Sequence, residues 1–262
     1  PTREFYGLAA LFGKLDENGL KPWSIPTSAP PPFVRLMNPD QQRAIEQARQ
    51  NLARTRIAER NARTSNPATE QNVVVPAPVA HYPFETLENN TTPNLAGDQQ
   101  PASTDRKRPE QLGAVALGPG REGQALLLDG DGGLGLTGLS GFTRHDPVTL
   151  SMWVRPGELN AKAALIHAAG FYSLDADASG IELELVEGRV RWSVIHLWPG
   201  SAISILMPEA LPVGEWTHIT ATYDGSSQVD GLRLYVQGTQ VETVVLRDKL
   251  DGPITTHQLE LG

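Results

Sequence analysis

Ile181-Glu182-Leu183-Glu184-Leu185-Val186-Glu187-Gly188-Arg189-Val190-Arg191-Trp192-Ser193-Val194 alternates apolar and polar side chains on both sides of a Glu-Gly pair. Successive side chains of a strand point to opposite faces, so this alternation is the pattern of a half-buried β-hairpin. With Glu187-Gly188 as a two-residue turn, Leu185 faces Val190, Leu183 faces Trp192 and Ile181 faces Val194. On the other face Glu184 meets Arg191 and Glu182 meets Ser193. A second hairpin closes at Gln237-Gly238, where Leu234 faces Val241 and Arg233 meets Glu242. Both registers sort apolar from polar, which predicts a mainly β, antiparallel sandwich. Leu183, Leu185, Trp192 and Trp216 are expected in its core, and Glu182, Glu184 and Arg191 on a solvated face.

Composition agrees. The 262 residues are 39% apolar and 20% charged, with 25 Gly and 21 Pro, as suits turn-rich strands joined by irregular linkers. A net charge of −8 gives no electrostatic footprint for nucleic acid or an anionic membrane. No apolar run is long enough to insert into a bilayer, and the N-terminus lacks the basic-then-apolar pattern of a signal peptide. The absence of Cys excludes disulfides, thiolate metal sites and c-type haem attachment within these residues. The chain starts at Pro1 and stops at Gly262 where another strand begins, and is read as a fragment of a longer protein.

Ahead of the strands, residues 1–64 read as a helical segment, the tail of a preceding domain. Phe5, Leu8, Phe12 and Leu15 recur at helical spacing over 2–18, with Thr2 as cap and Gly19 as stop. Lys21–Pro32 holds five prolines and is irregular. Asn38-Pro39-Asp40-Gln41 then combines a capping residue, Pro at the first helical position and the Gln of a capping box, predicting a helix to about Ala62. Residues 65–78 form a Pro-rich linker, and 79–262 the sandwich. Within it Val79–Phe84 reads as a first strand and Asn89–Leu112 as a surface loop.

The motif order resembles a known family. Leu127-Leu128-Asp129-Gly130, Pro147–Arg155, Leu211–Trp216 and Trp216-Thr217-His218-Ile219-Thr220-Ala221-Thr222-Tyr223-Asp224-Gly225, followed by Leu234-Tyr235-Val236-Gln237-Gly238, resemble the LamG-type concanavalin A-like lectin/glucanase domains. His196-Leu197-Trp198-Pro199-Gly200 and Tyr223–Ser227 are similar to the LamG insert of planctomycete multidomain proteins that also carry cytochrome c-like domains. Arg3–Phe12 and Ala29–Phe33 look like the end of the helical domain preceding LamG there. The resemblance implies a concanavalin A-like jelly roll lacking its closing C-terminal strand, in an exported bacterial protein that is periplasmic, cell-surface or secreted. Its partners would be a polysaccharide or glycan and the parent's neighbouring domains; the haem motifs of the family are absent from this chain, so no cofactor is expected within it.

Several motifs carry candidate chemistry. Glu182-Leu183-Glu184-Leu185-Val186-Glu187 is spaced like the paired catalytic carboxylates of laminarinase-type glucanases, but its middle residue is Glu rather than Asp and Glu187 falls in the turn. A solvated strand face with a Glu184–Arg191 ion pair explains it better. Gly118-Pro119-Gly120-Arg121-Glu122-Gly123 spells a dinucleotide fingerprint, yet a strand follows it rather than a helix, so it reads as a turn. Asp175–Gly180 imitates the start of an EF-hand loop but has Val186 where the bidentate Glu belongs. Asp129 and Asp131 are the better candidates for a structural calcium, on the resemblance to LamG-like sandwiches. His196 and Trp198, with Arg191 nearby, offer a sugar an aromatic plate beside polar donors. His167 and His218 are expected to hydrogen-bond locally. No Ser/His/Asp set sits in a strand-turn-helix context. The expected function is therefore a non-catalytic binding or scaffolding module, with a glucanase-like hydrolase and a purely structural spacer as alternatives.

Overall fold

The computed structural model describes residues 38–65, 76–97, 100–103, 115–130, 132–136, 139–159, 162–169, 179–254 and 256–261. The helix predicted over 2–18 and the Asp175–Gly180 turn lie wholly or largely outside them. The chain divides into two compact units. One holds the helix α1 (Pro39–Ser65), which runs slightly past the predicted end. Its start is the capping box read from the sequence: the Gln41 amide donates to Asn38 Oδ1 at 2.9 Å, and the Asn38 amide to Gln41 Oε1 at 3.1 Å.

The other unit is the sandwich. Its strands are β1 (Thr91–Thr92), β2 (Ala102–Ser103), β3 (Ala116–Pro119), β4 (Gln124–Leu127), β5 (Leu134–Leu136), β6 (Val148–Val154), β7 (Ala163–Ala169) and β8 (Gly180–Val186). They continue as β9 (Arg189–Leu197), β10 (Ser201–Leu206), β11 (Thr217–Tyr223), β12 (Leu232–Val236), β13 (Thr239–Gln240), β14 (Val244–Lys249) and β15 (Thr256–Leu261). One sheet has nine strands in the order β1-β2-β5-β15-β7-β8-β9-β10-β14, a second has four in the order β13-β12-β11-β6, and β3-β4 form a separate ribbon. Neighbours pair antiparallel throughout.

The β8–β9 register is the one the alternation predicts, from Ile181 opposite Val194 to Leu185 opposite Val190. Glu187 and Gly188 both take positive φ, 51° and 76°, as a type I′ hairpin needs; Gln237 and Gly238 do the same at 50° and 78°. The Val241 amide donates to Leu234 O at 3.0 Å, which confirms the second register. Leu183, Leu185 and Trp192 of the large sheet face Ile219, Ala221 and Leu234 of the small one across the buried core. Each such aliphatic side chain contributes about 1.5–3 kcal/mol when fully buried. The Trp192 indole N–H also donates to Thr222 O at 3.0 Å, tying one sheet to the other.

Four expectations are corrected. Val79–Phe84 is not a strand: Pro83 lacks an amide to donate, and Phe84 is left-handed at φ 59°. The Asn94 side chain holds that segment instead, accepting from the His81 and Ala96 amides at 2.8 and 3.0 Å. Asn89–Leu112 is not all surface loop, because β1 and β2 extend the nine-stranded sheet and bury Thr92 and Ala102 completely. Two-residue strands are too short to show alternation, which is why composition misread them. Trp216 is half-buried rather than core: it precedes β11 and lies under Arg155, whose guanidinium is 5.1 Å from the ring centroid. Finally, the polar face of β8 and β9 is not solvated. Glu184 is only 2% exposed and Arg191 half-buried. Strands in the interior of a nine-stranded sheet have neighbours on both sides, and long side chains lie over this face.

Candidate functional site

The polar face of the large sheet is built by register. His167 of β7, Glu182 of β8, Ser193 of β9, Ser204 of β10 and Arg247 of β14 fall opposite one another in a single row across five strands. Beside it run Ala164, Glu184, Arg191, Leu206 and Val244. The Ser193 and Ser204 hydroxyls, both buried, share a hydrogen bond of 2.8 Å.

Charges on this face are paired. Arg191 makes a direct ion pair with Glu184 and lies 3.9 Å from Glu182, while the exposed Lys162 ammonium reaches Glu184 at 3.1 Å. Burial is the largest influence on Arg191 and pulls its pKa below the ordinary arginine range. Glu182 opposes that pull and the neighbouring Arg247 adds to it. The guanidinium nonetheless keeps its charge.

Trp198, in the turn between β9 and β10, lies against this array. The Arg191 guanidinium is 4.9 Å and that of Arg247 5.1 Å from its ring centroid. The structure thus brings two of the predicted residues together, Trp198 and Arg191, and leaves the indole half-buried. His196 does something else: its Nδ1 is hydrogen-bonded to Pro253 O, and its ring packs so closely on Gly252 that a Cβ there would clash. Ser201, at the other foot of the turn, donates to Asp251 Oδ1 at 2.7 Å and accepts from the Asp251 and Gly252 amides at 3.2 and 3.3 Å. Burial alone would raise the Asp251 pKa, but the Ser201 hydroxyl and the Lys249 ammonium outweigh it and the carboxyl is held below its usual range. The peptide bond between Trp198 and Pro199 is cis.

Arg247 and Ser204 were missed by sequence reasoning. Arg247 comes from a strand some fifty residues downstream of Trp198, in Val244-Val245-Leu246-Arg247, where nothing but one charge in an apolar run marks it.

The other sequence-level candidates separate. Glu187 sits in the hairpin turn, exposed, and pairs with Arg189 at 2.8 Å. The glycine-rich Gly118–Gly123 segment is the end of β3 and the tight turn into β4, closed by the Gly120 amide donating to Gly123 O at 3.0 Å. Asp129 accepts the Gly132 amide at 2.9 Å through Oδ1, so its carboxylate anchors a turn, and Asp131 lies outside the described residues. Among the described residues no three His, Asp or Glu side chains gather into a metal-binding group. His218 hydrogen-bonds Ser151 at 2.9 Å, a local role as expected.

Solved structures with related folds include the botulinum neurotoxin serotype G binding domain, at 13% identity and a TM-score of 0.46, covering 65% of this chain and 40% of that one. The chain therefore spans well under two thirds of the length of that toxin domain. Domain 4 of AbnA, a GH43 extracellular arabinanase from Geobacillus stearothermophilus solved with arabinotriose, matches at 20% identity and a TM-score of 0.41 over 71% of this chain and 84% of that one. An endo-β-1,4-glucuronan lyase from the fungus Trichoderma reesei matches at 11% identity and a TM-score of 0.40, over 62% and 77% respectively. No curated protein matches the chain. The family model described as the concanavalin A-like lectin/glucanases superfamily matches residues 128–262, just over half of the sequence, which are the residues that build most of both sheets. By that match, the chain belongs to the concanavalin A-like lectin/glucanases superfamily.

Proposed function

We propose that this chain is a non-catalytic glycan-binding module whose site is the polar face of the nine-stranded sheet at Trp198. The observation that carries the reading is the half-buried Trp198 ring with the Arg191 and Arg247 guanidiniums 4.9 and 5.1 Å from its centroid. A sugar presents an apolar ring face and a rim of hydroxyls, each of which both donates and accepts. An aromatic plate beside fixed donors (Arg191, Arg247) and a fixed acceptor (Glu182) complements that chemistry. Because Glu182 and Glu184 offset all but one of the charges of Arg191, Arg247 and Lys162, the face suits neutral sugars.

The glucanase alternative needs two carboxyl groups about 5 Å apart on one face. Glu182 and Glu187 differ by an odd number of positions along the strand, and Glu187 is in the turn with Arg189. Glu184 is buried against Arg191 and Lys162. These placements favour binding over catalysis. The resemblance to planctomycete multidomain proteins supports reading the chain as a module of an exported parent, in which Asp129 and Asp131 would be the ligands of any structural calcium; the described helix is not long and apolar enough to cross a membrane.

The test is titration of the purified chain with neutral oligosaccharides derived from laminarin, arabinan and cellulose, alongside Trp198→Ala and Arg247→Gln. At least one neutral sugar should bind, and each variant should weaken it tenfold or more while the thermal unfolding curve stays cooperative. Unchanged affinity in Trp198→Ala would remove the site, and hydrolysis abolished by Glu182→Gln would establish the glucanase.

A further inference from the structure

The small sheet carries a second surface that the reading above does not use. In β11 the buried residues are Thr217, Ile219, Ala221 and Tyr223, so Trp216, His218, Thr220 and Thr222 lie on the outer face. Register places His218 opposite Trp153 and Thr220 opposite Ser151 on β6, with Arg155 following β6 beside Trp216. Trp153 and Trp216 are diagonal neighbours across two strands, roughly 7–8 Å apart by sheet geometry. Trp153 is 40% exposed, unusually open for a residue of its size.

Each of these indoles carries a guanidinium: Arg121, from the β3–β4 turn, lies 4.0 Å over Trp153, and Arg155 lies 5.1 Å over Trp216. A guanidinium stacked on an aromatic ring is held flat with its N–H edge outward, a preorganised fork for a carboxylate. One row beyond Trp153, on the side away from Trp216, Ser151 shares hydrogen bonds with His218 at 2.9 Å and Thr220 at 3.3 Å. Among the described residues, the outward positions of β6, β11 and β12 include no Asp or Glu; Arg233 of β12 lies opposite Thr222 on one side and, on the other, the exposed Glu242 just past β13. Glu122 pairs with Arg121 at 3.0 Å and Glu215 adjoins Trp216, but both are exposed, and an exposed pair of this kind is weak enough for a ligand carboxylate to displace.

We propose that the outer face of the four-stranded sheet is a second binding surface, for an acidic polysaccharide built of uronate sugars. Arg121 and Arg155 take successive carboxylates, Ser151 and Thr220 meet sugar hydroxyls, and the indoles back the two guanidiniums. A polyphosphate backbone fits less well, because its dense charge is repelled by the acidic remainder of the chain while this face offers only a few cations. The surface is on the opposite sheet from Trp198, so the two proposals stand or fall separately.

The experiment is a biolayer titration of the full chain on immobilised polygalacturonate and on its fully methyl-esterified form, which keeps the backbone and removes the charge. Wild-type protein should bind the acidic polymer at least tenfold more tightly than the ester and weaken as salt rises. Arg121→Gln/Arg155→Gln should lose tenfold or more of that affinity with an unchanged unfolding midpoint, whereas Trp198→Ala should retain it. Equal binding to both polymers, wild-type affinity in the double variant, loss in Trp198→Ala, or tighter binding to single-stranded DNA than to polygalacturonate would each overturn the assignment.

Discussion

Replacing Arg191 by Met should be the most costly single change on the polar face, and its size follows from the surroundings of Glu184. That carboxylate is 2% exposed, in direct ion pair with Arg191, and its other cation, Lys162, is itself 60% exposed in its side chain. Met fills the volume of the arginine stem but leaves a buried charge facing one solvated ammonium. Breaking a buried pair from one side costs about 3–5 kcal/mol. For a domain of this size each kcal/mol moves the melting temperature by about 2–4 °C, so Tm should fall by about 6–20 °C. Glu184→Leu should also destabilise, by stranding the Arg191 cation. The double variant Glu184→Leu/Arg191→Met removes both charges and should lie within about 1 kcal/mol of wild type, or above it. Urea denaturation of the four proteins measures the cycle, with an expected coupling of about 3 kcal/mol or more. If Arg191→Met costs under about 1 kcal/mol and the two changes add, the face is solvated after all and the burial argument fails.

Trp192→Phe should cost about 1–3 kcal/mol, because Thr222 O loses its indole donor inside the core; denaturant midpoints check this, and a variant as stable as wild type would show that the bond contributes nothing. Gly188→Ala should cost about 1–2 kcal/mol, since Gly188 sits at φ 76° and an added Cβ would press on the Leu159 side chain; a neutral result by thermal melting would mean that the turn relaxes freely. Asp251 has a folded pKa below its unfolded value of about 3.9, so its share of stability is present above that pH and is lost as pH falls through the lower folded value. Ser201→Ala should therefore flatten the acid limb of a plot of Tm against pH, and parallel limbs for the two proteins would exclude the linkage.

The hairpins were legible because two signals coincide in them: period-two alternation fixes the faces, and Glu187-Gly188 or Gln237-Gly238 fixes the register. The capping box at Asn38 was legible for the same reason, being a local bond between residues three apart. Alternation could not reveal that the polar face is itself covered, because Glu184 is buried by groups from other strands and turns. Nor could it show Arg247 reaching Trp198, since that contact depends on β14 pairing with β10 across a bulge at Ser204/Ile205. His196 adjoins the Trp198 turn in sequence, yet its hydrogen bond goes to Pro253, which no local pattern announces. The outer-face pairing of Trp153 with Arg121 likewise joins β6 to a turn about thirty residues upstream.

The fastening of the Trp198 turn separates its base from its tip. His196 on one side and Ser201 on the other are both bonded to the segment 251–253, so the ends of the turn are fixed by a different stretch of chain. The three residues between β9 and β10, Trp198, Pro199 and Gly200, form a tip whose two feet are held independently of it. Such a socket lets the tip change its preferred ligand by a few substitutions while the sandwich beneath keeps its stability, and it gives a designer a defined place to graft new specificity.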